Sequence, residues 1–480
     1  MFHNCEHSFY IYLMKYFVRI IIVSICFQFI RCEDNKYETP PEAILTAEDR
    51  EEYSGGDATV FNESEEAFGF FAKNLTQDEQ VAFGIGNSFF RQSWVSAPSS
   101  TTARDGLGPF FNANNCSSCH FKDGRGRPPA YDGQLGRGLL LRLSLAGTHP
   151  NGSSFADPVY GNQLQDNAIL GQTIEGKYTI TYQKITETLA DGTVVELQKP
   201  IYTINTLGYG SLSNNILVSP RIANQIIGLG LLEAVPESII LGFITTNNKE
   251  GISGKANYVY EVESKTQKLG RFGWKANQPS VRQQVAGAFV GDMGITSSIF
   301  PNEIAPFGVD LGMIPNGGSP EISNANFDKV VLYSSSLAVP ARRNVSDVKV
   351  LKGKKVFNDI QCASCHIPKM QTGSTSSIAT LRNQIIRPYT DLLLHDMGEE
   401  LADNAPDFLA NGQEWRTQPL WGIGLINTVN GHTNLLHDGR ARNVTEAIVW
   451  HGGEAANSKN KFKQLSTEDR NNLLEFINSL

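Results

Sequence analysis

Cysteine, histidine and methionine are scarce in this chain, with seven, nine and six among 480 residues. So few cysteines exclude a fold stapled by disulfides, and a chain of this length has apolar mass enough to do without them. An excess of positive charge is missing too. With 41 Lys and Arg against 49 Asp and Glu the formal net charge is −8, so a nucleic-acid surface would have to form against the overall field, and none is expected. No GxGxxG opens a strand-helix-strand unit, which removes the usual dinucleotide site. The apolar run at 20–30, bounded by Arg19 and Arg31 and containing Gln28, falls short of the ~20 residues of a membrane-spanning helix. What is present is an ordinary globular mixture, 40% hydrophobic and 19% charged, which excludes disorder and collagen-like structure and supplies two or three domain-sized cores.

The same run, preceded by Lys15 and Arg19, has the make-up of an export signal. Met14 opens a more ordinary signal, MKYFVRIIIVSICFQFIRC, than the longer form does. Cys32, followed by EDNKYETPPE, stands where a lipid-modified cysteine stands in a bacterial lipoprotein, although Arg31 is an unusual neighbour for it. Residues 1–32 are therefore expected to direct export to the periplasm or outer cell surface, with a lipid anchor to the membrane as an option. Residues 33–75 read as a solvated acidic leader, because between 33 and 66 twelve acidic residues face two basic ones.

Order is expected from Thr76, where TQDE matches a capping box ahead of a helical pattern. Residues 178–207 read as a β-hairpin turning at Asp191-Gly192, inserted into an otherwise helical domain. From 346 a helix-rich segment runs through VLKGKKVFND to STEDRNNLLEFINSL. The predicted fold class is mainly α: two domains, 76–345 and 346–480, of cytochrome c type, with the β-hairpin inserted in the first.

Three cysteines lie in the export segment, leaving Cys116, Cys119, Cys362 and Cys365 for the folded body. They form CSSCH and CASCH, two copies of the CxxCH pattern in which paired thiols add to haem vinyl groups and the next imidazole, here His120 and His366, binds iron. Chance supplies about 0.002 such matches in a chain of this composition. A four-cysteine zinc site would bring its pairs closer together, and a redox dithiol does not require the histidine. Each iron then needs a sixth ligand or an open face. Two protein ligands favour electron transfer, and an open position permits chemistry on a small molecule. The candidates are His149, His395, His432, His437, His451, Met293, Met313, Met370 and Met397.

The stretches GLGPFFNANNCSSCHFKDGRGRPP, GRFGWKANQPSVRQQVAGAFVGDMGIT and WRTQPLWGIGL with LHDGRARNVTEAIVWHGGEA resemble the di-haem oxidoreductases sometimes labelled thiol oxidoreductases. Their relatives are the bacterial di-haem cytochrome c peroxidases and the enzyme that matures methylamine dehydrogenase. The resemblance covers about residues 76–480 and implies a two-domain cytochrome with peroxidase-like activity. It also implies that His451, fourteen residues after His437, is the sixth ligand of the C-terminal haem. Met397 is the rival ligand, and His437 is implied to orient its loop by hydrogen bonding. At the N-terminal haem the resemblance places Trp274 between the haems and Gln284 and Asp292 on the distal face. This chain departs from its relatives in having aspartate for glutamate and WKANQPS for a WDGRA-like core. A carboxylate or amide near the iron can carry a proton between peroxide oxygens. The plainer alternative makes Trp274 buried core and Asp292 a turn cap. Glu233 and Glu237 have no clear role.

The leading expectation is therefore an exported enzyme with two covalently attached c-type haems. It takes electrons from a donor protein at the C-terminal haem and reduces a small oxidant such as peroxide at the N-terminal one. A non-catalytic electron-transfer cytochrome and an accessory to metal or protein processing are the other readings. Some relatives carry calcium where the domains meet, so a calcium ion belongs to the same expectation.

Overall fold

The computed structural model describes residues 45–129, 136, 138–244 and 251–480. The expected export segment, Cys32 and the first part of the leader lie outside the described residues. The chain divides into two compact units, Met1–Thr46 and Ala47–Leu480; of the first only residues 45 and 46 are described, and every described helix and strand belongs to the second.

Helix α1, Gln77–Arg91, starts as its sequence demands. Thr76 accepts from the Glu79 amide while Glu79 reaches back to the Thr76 amide at 2.8 Å, closing the capping box. Strand β1, Leu139–Thr148, is followed by the long hairpin β2, Lys177–Thr188, and β3, Val194–Asn205. The hairpin pairs in register from Lys177↔Asn205 to Thr188↔Val194. Its turn holds Gly192 at φ +84, a conformation that glycine adopts without strain, and Asp191 accepts from the Thr193 amide at 3.0 Å. The tip is not free in solution: Asp191 also accepts from Arg470 at 2.6 Å, and the Lys463 ammonium meets Glu187 at 2.6 Å. The insertion is thus a strap across the C-terminal region. Strand β4, Leu217–Ile222, pairs with β1, Leu139 opposite Ile222, and delivers residues 221–225 to the interior.

Helices α2, Val281–Met293, α3, Asn324–Ser336, α4, Val348–Asp359, α5, Val444–Trp450, and α6, Thr467–Ser479, complete the frame. Two helix pairs repeat one design. In α1, Gly86 lies so close to α3 that a β-carbon would sit 2.1 Å from the Lys329 carbonyl oxygen; in α4, Gly353 approaches α6 the same way, 1.9 Å from the Asn472 oxygen. Four residues on, Phe90 and Phe357 occupy corresponding places, ring centroids 6.2 Å from His120 and 6.4 Å from His366. A missing side chain lets the helices touch, and one turn later an aromatic ring supports the imidazole.

The mainly α expectation is overturned. Only 29% of the described residues are helical and 19% lie in strands, spread over several small sheets, so this is not a mainly α cytochrome c fold. The physical reason is punctuation: 44 glycines and 21 prolines keep most helices short, and the intervening segments meet their backbone hydrogen-bond needs in two- and three-stranded pairings. The leader expectation fails from residue 47 onward. Phe68 is fully buried, the Val60 amide donates to the Val339 carbonyl at 3.1 Å, and Glu51 is ion-paired inside with Arg342 and, at 2.8 Å, Lys354. A run of acids stays solvated only where no cations wait for it, and here they wait some 300 positions along the chain.

Candidate functional site

Both CxxCH segments fold alike. Cys116–Ser118 and Cys362–Ser364 each form a single tight turn, with the His120 amide donating to the Cys116 carbonyl at 2.9 Å and the His366 amide to the Cys362 carbonyl at 3.0 Å. Asn115 braces the first turn by accepting from the Ser118 amide at 2.7 Å. The turn brings two thiols and one imidazole to a common cavity wall. All four thiols are free, and burial pushes every one of them up, Cys119 and Cys362 to about 12.

Each imidazole has one nitrogen committed to backbone. His120 Nδ1 lies 2.6 Å from the Asn224 carbonyl and His366 Nδ1 3.0 Å from that of Tyr389, so Nδ1–H donates and Nε2 keeps its lone pair. Burial holds both rings in the neutral form, His366 down to about 4. This is the preparation that metal-binding histidines show.

The two turns open into separate, mainly apolar cavities of about 1420 and 1490 Å³ with their open mouths included. The cavity of Cys362, Cys365 and His366 is also lined by His451 and Met397. His451 follows the last residue of α5, and its Nδ1 lies 2.6 Å from the Ala447 carbonyl, the same preparation as the other two. Met397 reaches this cavity as well, so the structure brings both expected rivals to it.

The cavity of Cys116, Cys119 and His120 is lined by Gln284, Ala288 and Asp292, which helical spacing puts on one face of α2. Asp292 is not a turn cap. Its Oδ1 accepts from Gln163 Nε2 at 2.8 Å, and burial raises its pKa. Gln284 shares the cavity, whereas its neighbour Gln283 is spent on the backbone of Tyr260 and Val262. Met293 lines this cavity too, 2% exposed within the aromatic core.

Trp274 lines both cavities. Its Nε1 donates to the Ile222 carbonyl at 2.8 Å and its ring lies 5.1 Å below the Arg125 guanidinium, so it is at once buried core and common wall. Arg125, Gln225, Arg416, Gln418 and Pro419 share that wall.

The remaining ligand candidates are accounted for. His395 is held between Asp391, at 2.7 Å from Nε2, and Glu454, at 2.7 Å from Nδ1, leaving no nitrogen for iron. Against the cost of burial, hydrogen bonds to Asp391, Cys365 and Glu454 push its pKa up to about 12. Cys365, Asp391 and His395 form the one group of metal-type ligands found among the described residues, and the carboxylates there are satisfied by the imidazolium. His437 lines the C-terminal cavity, stacked on Trp415 at 3.9 Å with the rings 10° from parallel, so packing orients it where hydrogen bonding was expected. His149 is exposed, and His432 has contacts at 3.1 Å to the Arg125 carbonyl and 3.2 Å to the Asn434 amide. Met313 is 81% exposed, and Met370 is buried in the core away from both cavities. Glu233 accepts from the Val281 amide at 2.7 Å and Glu237 from the Tyr258 hydroxyl at 2.9 Å.

Sequence reasoning missed the residues of the shared wall other than Trp274. It also missed Lys275, fully buried, whose ammonium binds Asp403 at 2.7 Å and the carbonyls of Ala405 and Asn411 at 2.9 and 2.7 Å. That is an oxygen cradle already filled by a cation of the chain itself, and burial pulls the ammonium down to about 8. The signal was available: a lysine directly after Trp274, where the relatives' pattern has an acid.

The family profile described as "Di-haem oxidoreductase, putative peroxidase" matches residues 49–143 and 157–480. The chain belongs to this family, and haem is the family's cofactor. No curated protein matches the chain. Among solved structures, a chain of Kuenenia stuttgartiensis hydrazine synthase is similar at 13% identity over 85% of this chain and 94% of that one, with a TM-score of 0.30, a likeness too loose to carry any argument. The residues present fit two haems: two mainly apolar cavities, each lined by two cysteine thiols and an imidazole whose Nδ1 is committed to a backbone carbonyl, leaving Nε2 for iron.

Proposed function

We propose that this di-haem oxidoreductase reduces peroxide or a similarly small oxidant at the cavity of His120, with electrons received at the cavity of His366 and His451. One observation carries the reading: the cavities carry the same CxxCH turn but differ in the rest of their lining, His451 in one and Asp292 with Gln284 in the other. In this reading Cys116 and Cys119, and Cys362 and Cys365, hold one haem each by thioether bonds. Bound haem would supply a redox-active iron, suited to electron transfer where the chain offers it two ligands and to reaction with a small molecule where it offers one.

The chain's own residues do the rest. His366 and His451 present two neutral imidazoles to one cavity, the ligand set of an electron-transfer site. In the other, Asp292 is oriented by Gln163 and set apart from bulk water, and it is placed to take a proton from one peroxide oxygen and return it to the other. Two electrons and two protons then convert one peroxide into two waters. Gln284, on the same helix face, offers an amide to orient the oxidant. Trp274, common to both walls, bridges the route between the cavities. Met293 favours a second reading in one respect, since a thioether in the N-terminal cavity is what a six-coordinate electron carrier would need. Export, the periplasmic or cell-surface location, the lipid anchor and a donor protein belong to the same proposal. No helix among the described residues is long and apolar enough to cross a membrane.

The test is turnover of hydrogen peroxide by the reduced protein. Wild type turns over, and Asp292→Asn loses ~10²–10⁴-fold while keeping both haems. Equal turnover by the two proteins contradicts the assignment of Asp292, and no turnover by either leaves the electron carrier.

A further inference from the structure

The wall shared by the cavities contains two buried arginines that form no ion pair among the described residues, Asp391 attracting Arg416 only from beyond ion-pairing distance. Arg125 is 6% exposed, and it donates from Nε to the Asn434 carbonyl at 3.0 Å and from Nη2 to the Leu436 carbonyl at 2.6 Å. Arg416 is also 6% exposed, donating from Nε to the Gly273 carbonyl at 2.8 Å and from Nη2 to Gln418 Oε1 at 2.7 Å. Its Nη1 has no partner at all. Among the described residues neither guanidinium has an acid within ion-pairing distance. Other buried arginines of this protein do: Arg342 has Glu51, Arg440 has Asp438 at 2.9 Å, and Arg221 has Asp403 at 3.3 Å.

A buried guanidinium with neutral partners only is costly, and a donor left orphaned adds to the cost, so such a pair is retained where an anion completes it. Both side chains line both cavities, and their planar forks match a carboxylate in two-point contact. They also bracket Trp274. Arg125 stands over its ring, and the Arg416 amide donates to its carbonyl at 2.8 Å.

We propose that Arg125 and Arg416 form a carboxylate-binding pair in the shared wall, which holds the propionate groups of the haems and sets positive charge on the route between them. This rests on the reading that each cavity holds a haem. Loss of a positive charge beside an iron favours its oxidised form. Arg416→Gln is therefore expected to shift the reduction equilibrium of at least one haem tenfold toward the oxidised form, about 59 mV for a one-electron couple. Arg416→Lys keeps the charge, so it restores most of the potential yet still displaces the propionate bending band in the resonance Raman spectrum.

The experiment is a spectroelectrochemical titration of the full-length protein and both variants, paired with Raman spectra and a pyridine haemochrome count of haems per chain. Fewer than two haems in the wild type would defeat the underlying reading. Two haems whose potentials and propionate bands are the same in all three proteins would defeat the proposal alone. Acetate, added as a free carboxylate, separates the remaining source: a wild-type potential and propionate band that move with acetate concentration would mean that the pair takes a small anion, and would overturn the assignment to haem.

Discussion

The two cavities begin from the same five-residue motif and the same glycine-phenylalanine helix, and they end as different environments. Around His366 the lining includes His451 at the end of α5, together with Met397, Trp415 and His437. Around His120 it includes one face of α2, with Gln284, Ala288 and Asp292. On the proposed reading, the motif would fix where a haem is attached. On the same reading, what each haem does would be decided by an element far away in sequence, so two copies of one pattern need not do one job.

The largest effect that separates the halves is loss of attachment. Replacing Cys116 and Cys119 by alanine should leave one covalent haem per chain, and so should replacing Cys362 and Cys365. The first variant should lose peroxide turnover with the low-spin absorption retained, and the second should lose the low-spin signal. Mass spectrometry and pyridine haemochrome spectra count the haems, and a variant that keeps both would break the comparison at its root. Next, Trp274→Phe should slow electron passage between the cavities by about tenfold, ~1.4 kcal/mol of barrier, with both haems and their spin states unchanged. Stopped-flow oxidation of the fully reduced protein measures it, and an unchanged rate would take Trp274 off the route.

Smaller effects test the architecture. Gly86→Val and Gly353→Val would each push a side chain into the facing helix backbone and should destabilise by about 1–3 kcal/mol, seen in denaturant unfolding. Comparable losses would show that the helix pairs are equivalent, and loss in only one would show that the repeat is superficial. The smallest effect is expected at Glu48. Against the cost of its partial burial, Lys354 and Lys369 hold its carboxyl down to about 2 from 4.5. A lowered folded-state value stabilises above pH 4.5 and fades as pH falls toward 2. Wild type should therefore exceed Glu48→Gln in stability at pH 7 by a margin that vanishes near pH 2. A margin independent of pH would assign the effect to packing instead.

What could be read in the sequence was whatever depends on local spacing. The two CxxCH segments, the capping box at Thr76 and the hairpin turning at Asp191-Gly192 are each contained within a few residues, and each is found as expected. The repeat of glycine and phenylalanine four residues apart, at 86 and 90 and again at 353 and 357, was equally local and went unread because it has meaning only once the facing helices are known. Asp292 and Gln284 were placed by resemblance, and the eight-residue interval between them accounts for their common face. The shared wall was not legible. The carbonyls that hold Arg125 come from residues 434 and 436, and nothing near Arg125 in the chain announces them. The acidic run at 33–75 misled for the mirror-image reason: Lys354 and Arg342, which draw Glu51 into the core, are remote in sequence. Fold class was misjudged because helical periodicity in a few segments says nothing of the short pairings between them.

The central claim, that one cavity carries electrons and the other reacts, is tested most directly by electron paramagnetic resonance of the full-length protein, oxidised and half-reduced, with and without hydrogen peroxide. One low-spin signal is expected from the site of His366 and His451, lost in His451→Ala, and one high-spin signal from the site of His120 that peroxide abolishes. Two low-spin signals indifferent to peroxide in both redox states would contradict the claim.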